Sequence, residues 1–493
     1  MKTFKLTILF SCIISVQIGN LFGQNSFQVC FPTENRNEYC SYIIEDIEGN
    51  YFGAGGGTQI ANPTLQGMMW KISSSGDTLS KVFVFGDSLS SLSDIRILEN
   101  GNFKVTGIIG ASRETLNSLL TLEVSPDLNI VKKQFTVLPN LQTAYDMHMR
   151  KHLQSYYIMI SNYGPNSSPP YLSDPYFVKL NSNFDTVFTK QYALNGDQTC
   201  TDMLFSPDGS QLWLLSEAYF PELTSACLTQ MVVYDTMFNF VRVKTLTDYR
   251  MAGQNMAKWI TDSTFILGFK YAPLNPHEED VAFAETDSTF QFYSFDRIGA
   301  QDTIDYMAFG MGLDFSSPDS IHYTGTKNMI PDYWPQQPSW IRVGLLNRQL
   351  QPLYERFYGG DAQYRAISVI RTSDGGSFIS ATRYDYLNHL NYNDAFFLKV
   401  NSEGLVTSTN TSAICPLSPV LLYPNPGSDH VNMELSWNTA SCNVIDMNGK
   451  MVSNFNLHKG LNQINTRMYK PGNYLFIFNS NDNEHTTLKW TKK

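Results

Sequence analysis

A unit that repeats every roughly 50 to 57 residues limits the fold of this chain more than any other feature. The clearest copy runs from Tyr364 to Thr409 and reads as four apolar strands, with a first turn at Asp374-Gly375-Gly376. Matching first turns recur at Glu48-Gly49-Asn50, Glu99-Asn100-Gly101, near His152, and at Pro207-Asp208-Gly209, Thr261-Asp262-Ser263 and Ser317-Pro318-Asp319. Because helical periodicity is absent and short polar turns join the strands, the repeat is typical of the blades of a β-propeller.

Seven copies can be counted, so the sequence predicts an all-β chain: a seven-bladed β-propeller followed by a small C-terminal β-sandwich. The third, fifth and sixth copies are degenerate, and an eighth blade built partly from residues 25–39 is the alternative. A closed ring leaves no exposed sheet edge, and we expect the strand around Phe27 to Phe31 to complete the last blade. Gly53 to Gly57 lies within a strand and predicts close backbone packing near the axis.

The first residues of the chain do not follow the repeat. Lys2 and Lys5 precede an apolar run from Leu6 to Ile18, which is typical of a secretory signal peptide and too short for a transmembrane helix. A lipoprotein with Cys12 as its attachment residue is the alternative, but the apolar run continues past Cys12. We therefore divide the chain into a signal peptide (1–24), a propeller (25–410), a linker (411–420) and a C-terminal domain (421–493).

The C-terminal domain carries four short motifs in order: YPNP, the turn DMNGKMV, PGNY before an apolar strand, and the basic end KWTKK. In this order and position they resemble the C-terminal sorting domain (type A) of type IX secretion cargo. The resemblance implies handling by the outer-membrane type IX machinery of a Gram-negative bacterium. The protein would then pass through the periplasm and end up secreted or attached to the outer surface. The matching residues are Tyr423, Pro424, Asn425, Pro426, Gly449, Gly472, Tyr474 and Lys489.

Charge separates the two domains. Residues 421–493 hold seven Lys or Arg and five Asp or Glu, a balance of +2, whereas residues 25–420 hold 26 basic and 40 acidic residues, a balance of -14. Neutralising phosphate charge needs clustered Lys and Arg, so the acidic body argues against nucleic acid as a partner.

Six cysteines remain after the signal peptide, and an even number in an exported chain permits disulfides. Six cysteines allow fifteen pairings. The pairing of sequence neighbours would join Cys30 to Cys40, Cys200 to Cys227, and Cys415 to Cys442. The alternative is that some of them are buried thiols.

The loops between second and third strands would lie on one face of the ring, and they are rich in aromatic residues. Aromatic side chains supply rigid contact area for a glycan or a protein partner. The alternative is that the rings only hold Pro-rich loops onto the disc. The candidate ligand-binding residues are Tyr163, Tyr171, Tyr333, Trp334, Tyr384 and Tyr386.

Catalytic and metal-binding patterns are weak. No nucleophile elbow and no phosphate-binding glycine loop can be identified, and His148 and His152 lie in a segment that reads as strand and turn. Two acidic groups could offer oxygen ligands to a cation, but they lack the spacing of a calcium loop and are interpreted as solvated loops. These groups are His277 to Asp280, and Asp385 with Asn388, Asn393 and Asp394. We therefore expect no catalytic residue, metal or cofactor.

Asp followed by Ser or Thr recurs along the body and resembles the O-glycosylation signal of bacteria that use this secretion system. It would place sugar on hydroxyls such as those of Thr78, Thr186 and Thr303. The alternative is that Asp and Thr mark the exits of turns into strands.

The leading functional hypothesis is a secreted or surface-attached propeller that acts as a binding or adhesion module, with glycan or another surface polymer as its ligand. One alternative is an extracellular polysaccharide-degrading propeller enzyme, which would need two carboxylates roughly 5 to 10 Å apart. The other is a structural surface-layer protein.

Overall fold

The computed structural model describes most of the chain after the predicted signal peptide. The described residues are 26–30, 33, 36–59, 64–76, 79–84, 89–111, 116–163, 173–192, 197–219, 227–246, 256–272, 279–299, 303–330, 335–387, 392–407, 420–423, 427–447, 449–480 and 485–492. Every helix or strand assigned within them is a β-strand. None of them forms a helix with the length and hydropathy needed to span a bilayer.

The body starts with β1 (Phe27–Cys30) and continues with strands that form consecutive antiparallel sheets. Sheet one contains β2 (Arg36–Glu45), β3 (Tyr51–Gln59), β4 (Leu65–Ile72) and β5 (Leu79–Val84). Sheet two contains β6 (Leu89–Ile97), β7 (Phe103–Gly110), β8 (Ser118–Val124) and β9 (Ile130–Val137). Sheet three contains β10 (Thr143–His152), β11 (Ser155–Tyr163), β12 (Ser173–Leu180) and β13 (Thr186–Gln191). Sheet four contains β14 (Asp197–Phe205), β15 (Gln211–Tyr219), β16 (Cys227–Asp235) and β17 (Phe240–Thr245).

The remaining body strands form three more sheets. Sheet five contains β18 (Met256–Trp259), β19 (Thr264–Tyr271), β20 (Asp280–Asp287) and β21 (Phe292–Ile298). Sheet six contains the short strands β22 (Tyr306–Met307) and β23 (Leu313–Asp314), then β24 (Ile321–Lys327), β25 (Trp340–Leu346) and β26 (Pro352–Gly359). Sheet seven contains β27 (Gln363–Arg371), β28 (Ser377–Tyr384), β29 (Asp394–Val400) and, on its outer edge, β1. The all-β, propeller-type prediction is confirmed, while the count of seven blades stays a prediction.

The first strand of the chain closes the body. β1 pairs antiparallel with β29, from Phe27 opposite Lys399 to Cys30 opposite Phe396. The ring of Phe27 packs beside Tyr51 of sheet one and Phe378 of sheet seven, with centroid distances of 6.1 and 6.2 Å. Sheets one and seven therefore share a core at the junction where the chain meets itself, as the sequence predicted.

Glycines allow the inner strands of sheet one to approach closely. A Cβ atom at Gly55 would lie 2.1 Å from the carbonyl oxygen of Tyr39, and one at Gly57 would lie 2.7 Å from that of Asn37. Any larger residue would force main-chain atoms apart. The prediction of close backbone packing from Gly53 to Gly57 is confirmed.

Polar contacts join the inner strands of neighbouring sheets. The guanidinium of Arg96 donates to the carbonyl of Met149, 3.2 Å away, and so links sheet two to sheet three. Arg150 donates to the carbonyl of Met203, 2.9 Å away, and forms an ion pair with Asp202, which links sheet three to sheet four. We call this series of contacts the polar belt.

The polar belt continues through sheets five, six and seven. The amide of Ala257 donates to Asp202 at 2.9 Å, and Lys258 pairs with Asp314 at 2.6 Å. The amide of Arg371 donates to the other oxygen of Asp314 at 2.8 Å. Each contact joins residues 55 to 57 positions apart, which is the period of the sequence repeat.

The belt closes on sheet one. Ser373 of sheet seven donates to Glu45 through its amide at 2.6 Å and through its hydroxyl at 2.8 Å. Arg96 of sheet two lies over the ring of Tyr42, 4.8 Å from its centroid. Every junction between neighbouring sheets of the described body thus carries a polar contact in addition to its apolar core.

The C-terminal domain is a five-stranded sheet domain. Its strands are β30 (Val420–Tyr423), β31 (His430–Asp446), β32 (Met451–Asn465), β33 (Gly472–Ser480) and β34 (His485–Lys492). The long strand β31 pairs with β32 along its length, with β30 near its start and with β33 near its end. Of the predicted linker, only Val420 lies within the described residues, where it starts β30.

Candidate functional site

A cavity of about 800 Å³ lies on the axis of the body, among the inner strands of the sheets. β-bulges shape its wall, because a bulge adds one residue to a strand and redirects its side chain. Register shifts place Ser41, Ser93, Thr201 and Ile367 at bulges in β2, β6, β14 and β27, and all four line the cavity. The repeated bulge therefore presents one side chain from each of these sheets to the axis.

The inner strand of sheet six is interrupted, and the residues between β22 and β23 enter the axis. The amides of Phe309 and Gly310 donate to the carbonyls of Ala366 and Ile367 at 3.1 and 2.7 Å. A Cβ at Gly310 would lie 2.9 Å from the Ile367 oxygen, so this approach needs glycine. The segment thus attaches to sheet seven and places Phe309 on the cavity wall.

The ring of Phe309 is 43% exposed although it lies in a concave site. Solvent-exposed apolar side chains carry a hydration cost that a ligand can remove. An exposed aromatic ring on a cavity wall is the feature that most favours a ligand site here.

Hydroxyl groups make up much of the remaining polar lining. Tyr39 is hydrogen-bonded to Ser91, with 2.8 Å between their hydroxyl oxygens. The other hydroxyl side chains lining the cavity are those of Ser41, Tyr42, Ser93, Thr199, Thr201 and Thr382. Each hydroxyl can donate one hydrogen bond and accept two, so the wall suits a ligand with many neutral polar groups.

Two of the charged groups on the cavity wall, Asp94 and Arg150, are held in ion pairs. Asp94 accepts two hydrogen bonds from Arg96, at 2.7 and 2.8 Å. Burial raises the pKa of Asp94, and the charge of Arg96 opposes that shift. Tyr42, Arg150 and Met311 line both this cavity and a second one of about 180 Å³, so they form the layer between them.

His148 also faces the cavity. Burial lowers the pKa of His148 to about 4, with the charge of Asp202 acting in the opposite direction. The imidazole is therefore neutral at physiological pH and offers a hydrogen bond without a charge.

The aromatic residues predicted to bind ligand do not line this cavity where the structure describes them. Tyr384 is only 1% exposed and lies next to the half-buried Tyr386, with 6.4 Å between ring centroids. The buried ring of Tyr384 offers no stacking surface, which corrects the prediction for that residue. Tyr171, Tyr333, Trp334 and the side chain of Tyr163 lie outside the described part of the chain.

The predicted pairing of neighbouring cysteines is wrong. Cys40, Cys200 and Cys442 are buried and are not in disulfides, so none of the three proposed pairs can form. Cys30 is disulfide-bonded. Cys415 and the side chain of Cys227 lie outside the described part of the chain. Spacing along the chain misled the prediction for Cys30 and Cys40, because they pack in different cores.

The glycosylation candidates differ in their surroundings. The hydroxyl oxygen of Thr186 is buried and has no hydrogen-bond partner, so it is not accessible to a transferase in the folded protein. Thr303 is half-buried. Thr78 lies outside the described residues. Glycosylation at Thr303 and Thr78 stays a prediction.

The sorting motifs fall on turns and strands of the C-terminal domain. Gly449 has a φ of 78° in the turn between β31 and β32, and Gly472 has a φ of 147° at the start of β33. The hydroxyl of Tyr474 donates to the carbonyl of Lys470 at 2.7 Å, and its ring lies beside Trp490. Outside the described atoms fall Pro424, Asn425, Pro426 and the side chains of Tyr423 and Lys489.

Comparison with known families identifies this domain. Residues 421–493 match the family model described as a secretion system C-terminal sorting domain. No curated protein matches the chain. The chain thus carries a type IX secretion C-terminal sorting domain, which indicates export to the cell surface or secretion, and its body is all-β and of propeller type.

Solved structures resemble the fold at low identity. The β-propeller domain of the trilobed protease from Pyrococcus furiosus shares 6% identity at a TM-score of 0.42, over 78% of this chain and 100% of that one. A puromycin-hydrolysing peptidase of Mycobacterium tuberculosis shares 8% at 0.44, over 80% and 57%. PorZ, a surface component of the type IX secretion system of Porphyromonas gingivalis, shares 10% at 0.20, over 92% and 75%. This chain spans just over half the length of the peptidase. At these identities, the resemblance to all three structures concerns the fold alone.

Sequence reasoning missed the bulge residues and Phe309. A signal for the bulges was present, because Cys40-Ser41-Tyr42, Leu92-Ser93-Asp94 and Cys200-Thr201-Asp202 each place a hydroxyl residue at the same point of a first strand. No comparable signal marks Phe309, since its position depends on the interruption of sheet six.

Proposed function

We propose that this protein is an exported binding module whose axial cavity takes a neutral, polyhydroxylated ligand, such as a terminal unit of a surface glycan. The exposed ring of Phe309 on the wall of an 800 Å³ cavity carries the proposal. A sugar ring presents an apolar face that can cover an aromatic ring and hydroxyls that need partners at its edge. The cavity offers both kinds of contact.

The electrostatics of the cavity favour a neutral ligand. The charged side chains on its wall balance in sign, with Asp94 and Glu217 against Arg150 and Arg365. Asp94 is paired with Arg96, and Arg150 is paired with Asp202. Burying a ligand's charge without a partner would be costly. Hydroxyl groups can exchange bound water for ligand hydroxyls at a much smaller cost.

The distribution of carboxylates favours binding over hydrolysis. Among the described residues that line the cavity, only Asp94 and Glu217 carry carboxyl groups. A glycoside hydrolase needs one carboxyl as acid and another as base or nucleophile, but Asp94 is engaged by both nitrogens of the Arg96 fork.

The test is a glycan array and polysaccharide pull-down with the full chain, comparing the wild type with Phe309→Ala. Losing a ring contact of this size should weaken binding by roughly 10- to 100-fold. The matched control is Phe135→Ala, which removes a ring that is 48% exposed on the outer strand β9. We expect the control to bind like the wild type.

Two outcomes would contradict the proposal. Equal binding by wild type and Phe309→Ala would place the ligand elsewhere, for example on the loops between second and third strands. Release of shorter products from a retained polymer would show a degrading enzyme instead of a binding module.

A further inference from the structure

Two acidic residues lie side by side where sheets one and seven meet. The amide of Glu38 donates to the carbonyl of Asn393 at 2.8 Å, and the amide of Asn393 donates to the side-chain oxygen of Asn37, also at 2.8 Å. These contacts hold the start of β2 against the start of β29. Glu38 and Asp394 are therefore neighbours, and each is only 1% exposed. Asp394 is not part of a solvated loop, contrary to the interpretation of its sequence.

Each of these two carboxyl groups has a buried oxygen without a hydrogen-bond partner. Oε1 of Glu38 accepts from the hydroxyl of Thr33 at 2.5 Å and from the ammonium of Lys81 at 3.2 Å. Oε2 of Glu38 and Oδ1 of Asp394 are buried and accept none. Leaving such oxygens unsatisfied is costly, so two of them at one place call for a missing partner.

The surrounding charges do not supply that partner. Arg383, which pairs with Asp394 across β28 and β29, donates instead to Asp361 at 2.8 Å and to Asp385 at 3.3 Å. Arg383 and Lys81 favour an ionised Asp394 through their charge, but neither donates a hydrogen bond to its Oδ1. Burial, and then the negative charge of Glu38, raise the pKa of Asp394 to about 8.

We propose that Glu38 and Asp394 bind a divalent cation, calcium by the class of its ligands, at the junction that closes the ring. A cation between the two unpartnered oxygens would satisfy both. Calcium accepts carboxylates together with backbone carbonyls, amide oxygens and water. Among the described residues, no group of three His, Cys, Asp or Glu is placed to hold a metal ion. The two carboxylates would therefore be the only acidic ligands from this part of the chain, and carbonyl, amide and water oxygens would complete the shell. Neither carboxylate lines the axial cavity, although Asn393 next to them does, and the proposal does not depend on the ligand of that cavity.

Isothermal titration of the EDTA-treated full chain with calcium chloride tests the site directly. We expect a dissociation constant on the order of 10⁻⁴ to 10⁻³ M, as in extracellular calcium modules. Asp394→Asn keeps the shape of the side chain, removes its charge and should weaken this binding at least about tenfold. Asp208→Asn, in an exposed turn of sheet four, is the matched control and should bind as the wild type does.

A thermal scan gives a second readout. Calcium at about 100 times its dissociation constant stabilises a folded state by roughly 2.7 kcal/mol, so the midpoint should rise in the wild type and in Asp208→Asn but not in Asp394→Asn. Absence of binding up to about 20 mM calcium, or equal binding by Asp394→Asn, would overturn the proposal. The proposal would also be overturned if Asp394→Asn had a higher midpoint than the wild type and calcium had no effect on the wild type. The missing partner would then be a proton shared by Glu38 and Asp394.

Discussion

Replacing Phe27 by Ala should open the body at the junction between sheets one and seven. The side chain is 4% exposed, and its ring lies against Gly76, where a Cβ atom would be 2.4 Å from the ring. It also contacts Tyr51 and Phe378. One side chain of the short strand β1 thus touches both sheets that the strand joins.

The size of the effect follows from the buried area. An aromatic side chain buries roughly 150 to 250 Å², which at about 25 cal/mol per Å² is roughly 4 to 6 kcal/mol. Measured Phe→Ala substitutions in cores cost about 3 to 5 kcal/mol. A loss of at least about 3 kcal/mol lowers the folded-to-unfolded ratio more than 100-fold, a large share of the stability of an ordinary domain.

The assay is denaturant unfolding of the full chain, followed by fluorescence and by limited proteolysis of β1. It is run under reducing conditions, since the disulfide of Cys30 in the same strand would otherwise hold β1 in place. Phe135→Ala is the control and should cost about 1 kcal/mol or less. If Phe27→Ala and Phe135→Ala shift the midpoint equally, β1 does not close the ring in solution and the reasoning fails.

Four further predictions test other parts of the structure. Arg342→Ala should cost about 3 to 5 kcal/mol because it leaves the buried Asp305 without its ion-pair partner; a thermal unfolding loss below about 1 kcal/mol would contradict this. Burial lowers the pKa of His322 from 6.5 to about 4. As the pH falls, His322 therefore binds a proton in the unfolded chain before it does so in the folded chain. Stability that is present above pH 6.5 is lost as the pH falls towards 4. His322→Gln should remove about 3 kcal/mol of that loss in denaturant titrations between these pH values, and an unchanged pH profile would refute the assignment. Gly55→Ala should lower soluble yield and the thermal midpoint, since its Cβ would meet a main-chain oxygen that cannot move aside; a wild-type midpoint would count against the packing. Truncation after Val420 should leave the protein in the periplasm on cell fractionation, and wild-type levels at the surface or in the medium would show that export does not need the sorting domain.

The sequence predicted the strands and turns well because local chemistry sets them. Turns such as 374–376 need glycine with a positive φ, and Gly375 has a φ of 84°. Alternating apolar residues then locate the strands on either side. The pairing of the first strand with the last sheet could also be predicted, since an unpaired edge has to be covered.

The candidate site could not be predicted in the same way, because its residues come together only through the ring. Phe309 reaches the axis through hydrogen bonds to a different sheet, and the unpartnered oxygens of Glu38 and Asp394 come from opposite ends of the body. The disulfide prediction failed for a related reason. Cys40 lies in the core between sheets one and seven, where residues as distant along the chain as Phe378 and Phe397 pack with it.

The polar belt gives Arg150 two positions at once. Its guanidinium joins sheet three to sheet four through the Met203 carbonyl and Asp202. The same side chain lines both axial cavities. Any change at Arg150 would therefore alter a junction of the body and the layer between its cavities together, so cohesion between sheets and the shape of the ligand site are coupled through one residue.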